Sequence, residues 1–438
     1  MKPPAIFRAL CAFCAAGALY ATPLHAGTRD PVFSGIPFDQ WLQEKNPRGA
    51  FNWTEAVSEP RLSTHQRLFS IVEFRVDGRE VARRRGPGRL LMLTQVVGQK
   101  GEVWQHHYAL DLEPVGENAK ATDYQYVQPF FVVPGDYTLS MAIFDARTNE
   151  HSVRQRKLHV SGLRNDPLSG AWQDLPAVEF LTPGETPDIW FLPEIEGRLH
   201  VAATTKNDVE IDLFVNFTPS ERLSGSVRAR NNTMAVLLPC WKVMSQVRWG
   251  GAQLNFQFLD LVKNQILFAQ NNAGEIDWNR ARIPLAAPPG LVDVKSLANH
   301  RFSADFFVQE IARKAAEPPP TGHSRVIVVL SSAVRFGSAV DLNPLRIAPV
   351  PGQKVFYFRY SAPRMIFVPR NSRTAENAVD SRGNRPPMDE APVPYRLGPE
   401  SDQLEPLLKG LNPQLFDFAT PGQFRKALAR LIAAVNSM

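Results

Sequence analysis

Cysteine is the scarcest residue in this chain of 438 residues, which contains only three of them. Cys11 and Cys14 lie among the first 26 residues, so Cys240 is the single cysteine in the remainder. A lone cysteine forms neither an intramolecular disulfide nor a zinc site built from cysteine pairs. The sequence therefore excludes a disulfide framework and a structural zinc site of that kind.

Familiar catalytic motifs are also missing. The chain has no Gly-x-Ser-x-Gly elbow, no His-Glu-x-x-His pair and no glycine-rich phosphate loop followed by Lys-Ser or Lys-Thr. His106 and His107 are adjacent in a predicted strand, so their side chains should point to opposite faces and cannot share a metal ion. We therefore expect no enzymatic activity and no cofactor.

The first 26 residues have the pattern of a secretory signal peptide. Two basic residues precede an apolar run from Ala9 to Ala21, and small residues at Ala21 and Ala26 fit a cleavage position. A membrane anchor is the alternative, but the run is shorter than the roughly 20 residues that span a bilayer. We predict that residues 1–26 are removed and that the mature protein is exported, periplasmic or extracellular, without a membrane span.

The charge balance says little about a polyanionic partner. The chain has 49 basic and 43 acidic residues, a net charge of +6, and an exported protein with this small imbalance is not expected to bind nucleic acid. The run Arg83–Arg85 lies in a predicted hairpin tip, where it could contact phosphate or an acidic partner. Exposed charges on loops are ordinary, however, and this run alone does not indicate a site.

Residues 67–160 read as an antiparallel β-sandwich of the immunoglobulin-like kind. They contain six short segments rich in aromatic and β-branched residues, separated by turn signals such as VPGD and RTNE. An extension, 27–66, precedes them. A proline-rich linker, 161–197, follows, and Trp172 and Trp190 within it suggest that parts of the linker dock on a neighbouring domain.

From residue 198 to residue 438 the pattern changes to alternating strands and helices. Leu254–Leu261 and Gln265–Ala269 are separated by VKN and read as a hairpin. Helices are predicted over Thr233–Val247, where Cys240 lies on the apolar face, and over about Ala304–Ala316.

The apolar segments Val326–Leu330 and Lys354–Tyr360 lack polar alternation, which is typical of central parallel strands covered on both faces. Thr420 and Gln423 form a capping box at the start of a closing helix. The segment 369–402 has few apolar residues, and we predict a mobile insertion there. The fold class expected for this half is a doubly wound, mostly parallel α/β domain.

The order of elements from 198 to 434 resembles a von Willebrand factor type A (VWA) domain. More narrowly, the closing segment Leu415–Val435, LFDFATPGQFRKALARLIAAV, resembles that of secreted bacterial VWFA-related proteins. The resemblance implies a doubly wound sheet with one antiparallel edge strand, here Gln265–Ala269. It also implies a divalent-cation site of the form Asp-x-Ser-x-Ser after the first strand, with a Thr and a second Asp from later loops.

This sequence departs from that metal motif. The first part falls on Asn216, Thr218 and Ser220, and the distant acid falls near Ser332, while Ser303 lies in the region of the motif's Thr. Both carboxylates are thus absent, and Mg²⁺ favours carboxylate oxygen. We therefore expect no metal ion in this turn.

The resemblance and the degenerate motif together favour an exported protein-interaction module with an adhesion or scaffold role. The surface expected to bind an unidentified protein partner consists of Asn216, Thr218, Ser220, Arg222 and Ser332. One alternative is a hydrolase of envelope polymers, but Asp208, Glu210 and Asp212 lie on one side of one strand and read as a polar stripe. Another alternative is a structural component of an envelope assembly.

Overall fold

The computed structural model describes part of the chain. It covers residues 27–44, 51–181, 195–205, 208–217, 227–261, 263–273, 276–281, 300–334, 350–361 and 402–438, with backbone only at 117, 227–235 and 300–303. The predicted signal peptide, Trp190 and nearly all of the predicted insertion lie outside these ranges.

Two antiparallel sheets form the N-terminal half. The first has the strand order β1-β3-β6-β9 with β2 paired to β3, and the second has the order β5-β4-β7-β8. Apolar side chains of both sheets share one core, which agrees with the antiparallel sheets expected for 67–160. The strands are β1 (Trp53–Val57), β2 (Arg61–Leu62), β3 (Leu68–Val76), β4 (Arg89–Val97), β5 (Val103–Asp111), β6 (Tyr124–Val132), β7 (Gly135–Asp145), β8 (His151–Val160) and β9 (Val178–Phe180). Strands thus extend beyond the predicted segment on both sides.

The outer face of the second sheet is covered by the N-terminal residues. Helices α1 (Pro31–Ser34) and α2 (Phe38–Trp41) place Phe33, Phe38 and Trp41 against Leu93 and its apolar neighbours. As a result, seven consecutive residues of β4 are buried although the strand belongs to an antiparallel sheet. A third short helix, α3 (Gly78–Arg83), connects β3 to β4.

A six-stranded sheet of order β12-β11-β10-β13-β14-β15 forms the C-terminal half. Four of its strand pairs are parallel and the β11–β12 pair is antiparallel, so the sheet is mixed. We call it the mixed sheet. Its strands are β10 (Asp208–Asn216), β11 (Gln253–Asp260), β12 (Gln265–Gln270), β13 (His323–Ser332), β14 (Gln353–Tyr360) and β15 (Gln414–Phe418).

Helices pack on the two faces of the mixed sheet. Helices α4 (Val227–Gln246) and α7 (Pro421–Asn436) share an apolar core with one face, and α5 (His300–Ala316) and α6 (Leu404–Leu408) share a core with the other. The predicted capping box of Thr420 and Gln423 is confirmed at the start of α7. None of the described helices combines the length and the apolar composition that crossing a bilayer requires.

The predicted fold class is wrong. Of the fifteen strands in the described ranges, nine lie in antiparallel sheets and six in a mixed sheet, so the chain is not a doubly wound, mostly parallel α/β protein of the VWA type. The fold class was drawn from the alternation of strands and helices in 198–438, and that pattern does not describe the chain, because nine of its fifteen described strands lie in the antiparallel sheets. The apolar segments in β13 and β14 were correctly predicted as parallel strands, since these two strands pair in parallel.

Several individual elements were predicted correctly. The β11–β12 hairpin is confirmed, and Asn264 in its turn has a positive φ of 51°. Trp172 docks as expected: its Nε1 donates to Gln66 O at 2.7 Å, and Arg425 of α7 lies over its ring at 4.9 Å. Two helices begin earlier than predicted, α4 at 227 rather than 233 and α5 at 300 rather than 304.

Candidate functional site

Polar side chains gather where the parallel strands of the mixed sheet end. β10 and β13 are neighbours at its centre, and the strands that follow them, β11 and β14, lie on opposite sides of this pair. Connections that diverge in this way leave a crevice at the carboxyl ends of the two strands, and such crevices commonly hold ligands. Asn216 ends β10 and Ser332 ends β13, so two of the predicted partner-binding residues do meet at this edge.

Asn216 and Ser332 nevertheless face different sides of the sheet. Asn216 lies two residues after Phe214 and so points to the same face of the sheet, which α5 and α6 cover. Its Nδ2 donates to Ser331 Oγ at 2.9 Å. Ser332 follows Leu330 toward α4 and α7, and its Oγ has no hydrogen-bond partner within the described part of the chain. Both residues are buried, so they do not form one exposed surface. Thr218, Ser220, Arg222 and the side chain of Ser303 lie outside the described residues.

The two neighbouring serines should respond differently to alanine substitution. Ser332→Ala removes a buried hydroxyl that has no hydrogen-bond partner among the described residues, and we expect stability to stay constant or rise by up to about 1 kcal/mol. Ser331→Ala removes the acceptor of Asn216 Nδ2 and should cost about 1–3 kcal/mol. Urea unfolding of the two variants beside the wild type measures the difference. Equal losses in both would contradict this assignment.

The polar contacts continue to β14 through Tyr357 and Asp402. Tyr357 Oη donates to Asp402 Oδ2 at 2.8 Å, and Asp402 Oδ1 accepts the backbone N–H groups of Val334 and Leu404 at 3.0 and 3.2 Å. Burial and the adjacent Asp402 carboxyl raise the pKa of Tyr357 well above its ordinary value. Burial also raises the pKa of Asp402, and its hydrogen bonds offset this only in part.

Arg359 contacts both the buried Asp402 and two carboxylates near the surface. Its guanidinium bonds Asp417 at 2.6 and 3.0 Å and Glu405 at 2.5 Å, and it lies 3.4 Å from Asp402. Burial disfavours the charged guanidinium, but the bonds to Asp417 and Glu405 outweigh burial and raise the pKa of Arg359. Together Asn216, Ser331, Tyr357, Arg359, Asp402, Glu405 and Asp417 form what we call the carboxyl-end network.

The carboxyl-end network can present fixed negative charge to a molecule in solution. Its three carboxylates surround one guanidinium, and nowhere in the described ranges do three His, Cys, Asp or Glu side chains take positions that could hold a metal ion. Glu405 and Asp417 remain about half exposed, at 47% and 44%. They are the part of the network that a partner in solution can reach.

The acids considered for hydrolysis lie at the opposite end of the sheet. Glu210 bonds Arg325 and Lys314, and these bonds lower its pKa although burial acts to raise it. Asp212 lies 3.4 Å from Lys314, and burial raises the pKa of Asp212. Two of the three acids in the stripe, Glu210 and Asp212, are therefore held in buried ion pairs. These contacts assign them a role in stabilising the fold.

The remaining candidates also have structural contacts. His106 stacks on Phe180 with ring centroids 5.4 Å apart, while His107 Nδ1 lies 2.5 Å from Asp30 Oδ2, so the two histidines serve different neighbours as predicted. Within the arginine run, Arg84 is buried and bonds Asp145 at 3.0 Å. Cys240 is buried in α4, as its apolar neighbours predicted, and burial raises the pKa of its thiol well above the ordinary value.

Sequence reasoning missed Arg359, Tyr357 and Asp402. A usable signal was present, since Arg359 interrupts the apolar and aromatic run Val355–Tyr360 of β14. A charged residue inside a buried strand requires a partner of opposite charge. The partners come from residues 402–417, and no spacing rule connects those positions to Arg359.

Comparison with known proteins identifies no family. No protein-family model matches the chain, and no curated protein matches it. Among solved structures, one assigned to an ApaA protein from Bordetella pertussis is 11% identical and covers 27% of this chain and 100% of its own, with a TM-score of 0.17. An X-ray structure of a Northeast Structural Genomics Consortium target is 12% identical and covers 26% of this chain and 91% of its own, with a TM-score of 0.16. These similarities carry no argument about function.

Proposed function

We propose that this chain is an exported protein-interaction module that binds a protein partner at the carboxyl-end network of the mixed sheet. The observation that carries the proposal is that Glu405 and Asp417 are half exposed and are held in place by the buried Arg359. Side chains that are already ordered lose little conformational entropy when a partner binds. The excess of carboxylates over guanidinium favours a partner that contributes lysine or arginine.

The proposed contact differs from the surface expected from sequence. Asn216 and Ser332 are buried, so we assign them to the support of the site, and we assign the contact itself to Glu405 and Asp417. Export rests on the pattern of residues 1–26, and the mass of the mature protein in fractionated cells tests it. A mature chain that still begins at Met1 would remove this part of the proposal.

Partner binding is tested by neutralising the two exposed carboxylates. We expect the double variant Glu405→Gln, Asp417→Asn to lose most of the cross-linked partner that the wild-type protein captures from the exported fraction. The matched control is Glu310→Gln, Glu317→Gln, because Glu310 lies in α5, Glu317 directly follows it, and both carboxylates form an ion pair with Arg313. A partner retained equally by both double variants, or captured by none of the proteins, would refute the proposal.

A further inference from the structure

Asp402 connects the ends of three elements. Its carboxylate accepts the N–H of Val334, just beyond β13, the N–H of Leu404, at the start of α6, and the hydroxyl of Tyr357 in β14. Gln403 adds a backbone hydrogen bond from its N–H to Val334 O at 2.8 Å. A buried carboxylate that accepts several hydrogen bonds is costly to disturb, because each donor would lose its partner away from water.

Arg359 also holds α6 in place. One nitrogen, Nη1, bonds Glu405 in α6 at 2.5 Å, while Nε and Nη2 bond Asp417 in β15. The Arg359 side chain is 2% exposed, whereas the Glu405 and Asp417 side chains that it bonds are about half exposed. Arg359 thereby ties α6 to two strands of the mixed sheet.

α6 has little intrinsic stability. It contains five residues, and helices of this length are not stable in water without tertiary contacts. Its attachment consists of three buried leucines, Leu404, Leu407 and Leu408, together with the contacts of Asp402 and Arg359. The neighbouring strands β13, β14 and β15 are paired with one another, so among the elements described at this edge α6 is the one that can move without breaking a strand pair.

We propose that Asp402 and Arg359 form a latch whose opening releases α6 from the carboxyl ends of β13 and β14 while the mixed sheet stays folded. Release uncovers Tyr357 and Ser331 and moves Glu405 away from Asp417. The movement of Glu405 would alter the partner contact, and that consequence rests on the proposed function. The latch itself rests only on the contacts of α6.

Hydrogen exchange of the full chain, measured by mass spectrometry, tests the latch without any partner. Asp402→Asn keeps the size of the side chain, but it removes the negative charge that faces Arg359 and replaces Oδ2, the acceptor of the Tyr357 hydroxyl, by an amide group. We expect exchange in 402–411 to become at least tenfold faster, while 421–436 in α7 exchanges as in the wild type. Tyr357→Phe, which removes the hydrogen bond to Asp402 but keeps the Asp402 charge beside Arg359, should give a smaller increase confined to 402–411. Glu310→Gln on α5 is the control and should change neither segment.

Two results would overturn the latch. The first is a parallel rise of exchange in 402–411 and 421–436, which would show that α6 opens only by global unfolding. The second is an exchange rate in 402–411 that stays within twofold of the wild type in Asp402→Asn. If Asp402→Asn does not fold, the same two criteria apply to Tyr357→Phe. Because no partner is present, these results do not depend on the proposed function.

Discussion

Replacing Arg425 by alanine is expected to lower the free energy of unfolding by about 3–5 kcal/mol. Arg425 lies in α7 and is 1% exposed, and its guanidinium bonds both oxygens of Asp166 at 2.5 and 2.8 Å. It also donates to Leu168 O at 2.8 Å. Truncation would leave the largely buried Asp166 without its cation, and an uncompensated buried charge is among the costliest defects in a protein.

The expected loss is large also because Arg425 lies between the two halves of the chain. Its guanidinium covers the ring of Trp172, and Trp172 Nε1 donates to Gln66 O at 2.7 Å. Gln66 Nε2 in turn donates to Pro421 O at 3.1 Å, at the start of α7. Contacts of Trp172 and Gln66 in the N-terminal half with α7 in the C-terminal half therefore surround Arg425, and its removal should weaken them.

Urea unfolding followed by circular dichroism measures this effect. Arg430→Ala is the matched control, because Arg430 lies in the same helix and is exposed; its cost should stay within about 0.5 kcal/mol. Asp166→Ala and the double variant complete a cycle that isolates the coupling between the two side chains. A loss below about 1 kcal/mol for Arg425→Ala would show that the junction tolerates its removal.

The same ion pair predicts an acid-dependent loss of stability. Burial acts to raise the pKa of Asp166, but hydrogen bonds from Arg425 and the Leu168 amide outweigh it and lower the net pKa. A carboxyl whose pKa is lowered by folding stabilises the protein above its unfolded pKa, about 3.9, and loses that contribution as the pH falls further. The decline of stability below about pH 4 should therefore be shallower in Asp166→Asn than in the wild type.

Trp241→Ala should produce a loss of similar size, about 3–5 kcal/mol, in the core of the mixed sheet. Trp241 in α4 is fully buried, and its ring centroid lies 4.2 Å from that of Phe258, 5.7 Å from that of Phe256 and 4.6 Å from that of Trp278. Alanine would leave a cavity bounded by aromatic rings that cannot collapse freely, since two of them belong to β11.

Trp241→Phe separates ring packing from hydrogen bonding. Trp241 Nε1 finds no acceptor within the described ranges, so phenylalanine removes an unsatisfied donor together with part of the ring. We expect it to cost less than half of the alanine loss, as measured by thermal or urea unfolding. Equal costs for the two substitutions would indicate that the indole N–H contributes a bond and would contradict the contacts described above.

The local features of the fold could be predicted where one short segment contains the whole signal. The capping box of Thr420 and Gln423 is such a feature, because both partners lie within one helical turn. The β11–β12 hairpin is another, since a short turn joins adjacent antiparallel strands. The fold class was wrong because a sheet is assembled from segments that are far apart in the chain, as in the pairing of β10 with β13, and no short segment contains that information.

The sequence by itself determined that Cys240 stands alone outside the first 26 residues and that His106 and His107 point to opposite faces of their strand. These conclusions follow from residue types and from the alternation of side chains in a strand. Only the tertiary structure decided the site. Arg359 and Asp402 are 43 positions apart, and no local sequence pattern predicts that they lie together. Burying a guanidinium requires carboxylates from distant elements, and only folding brings these together.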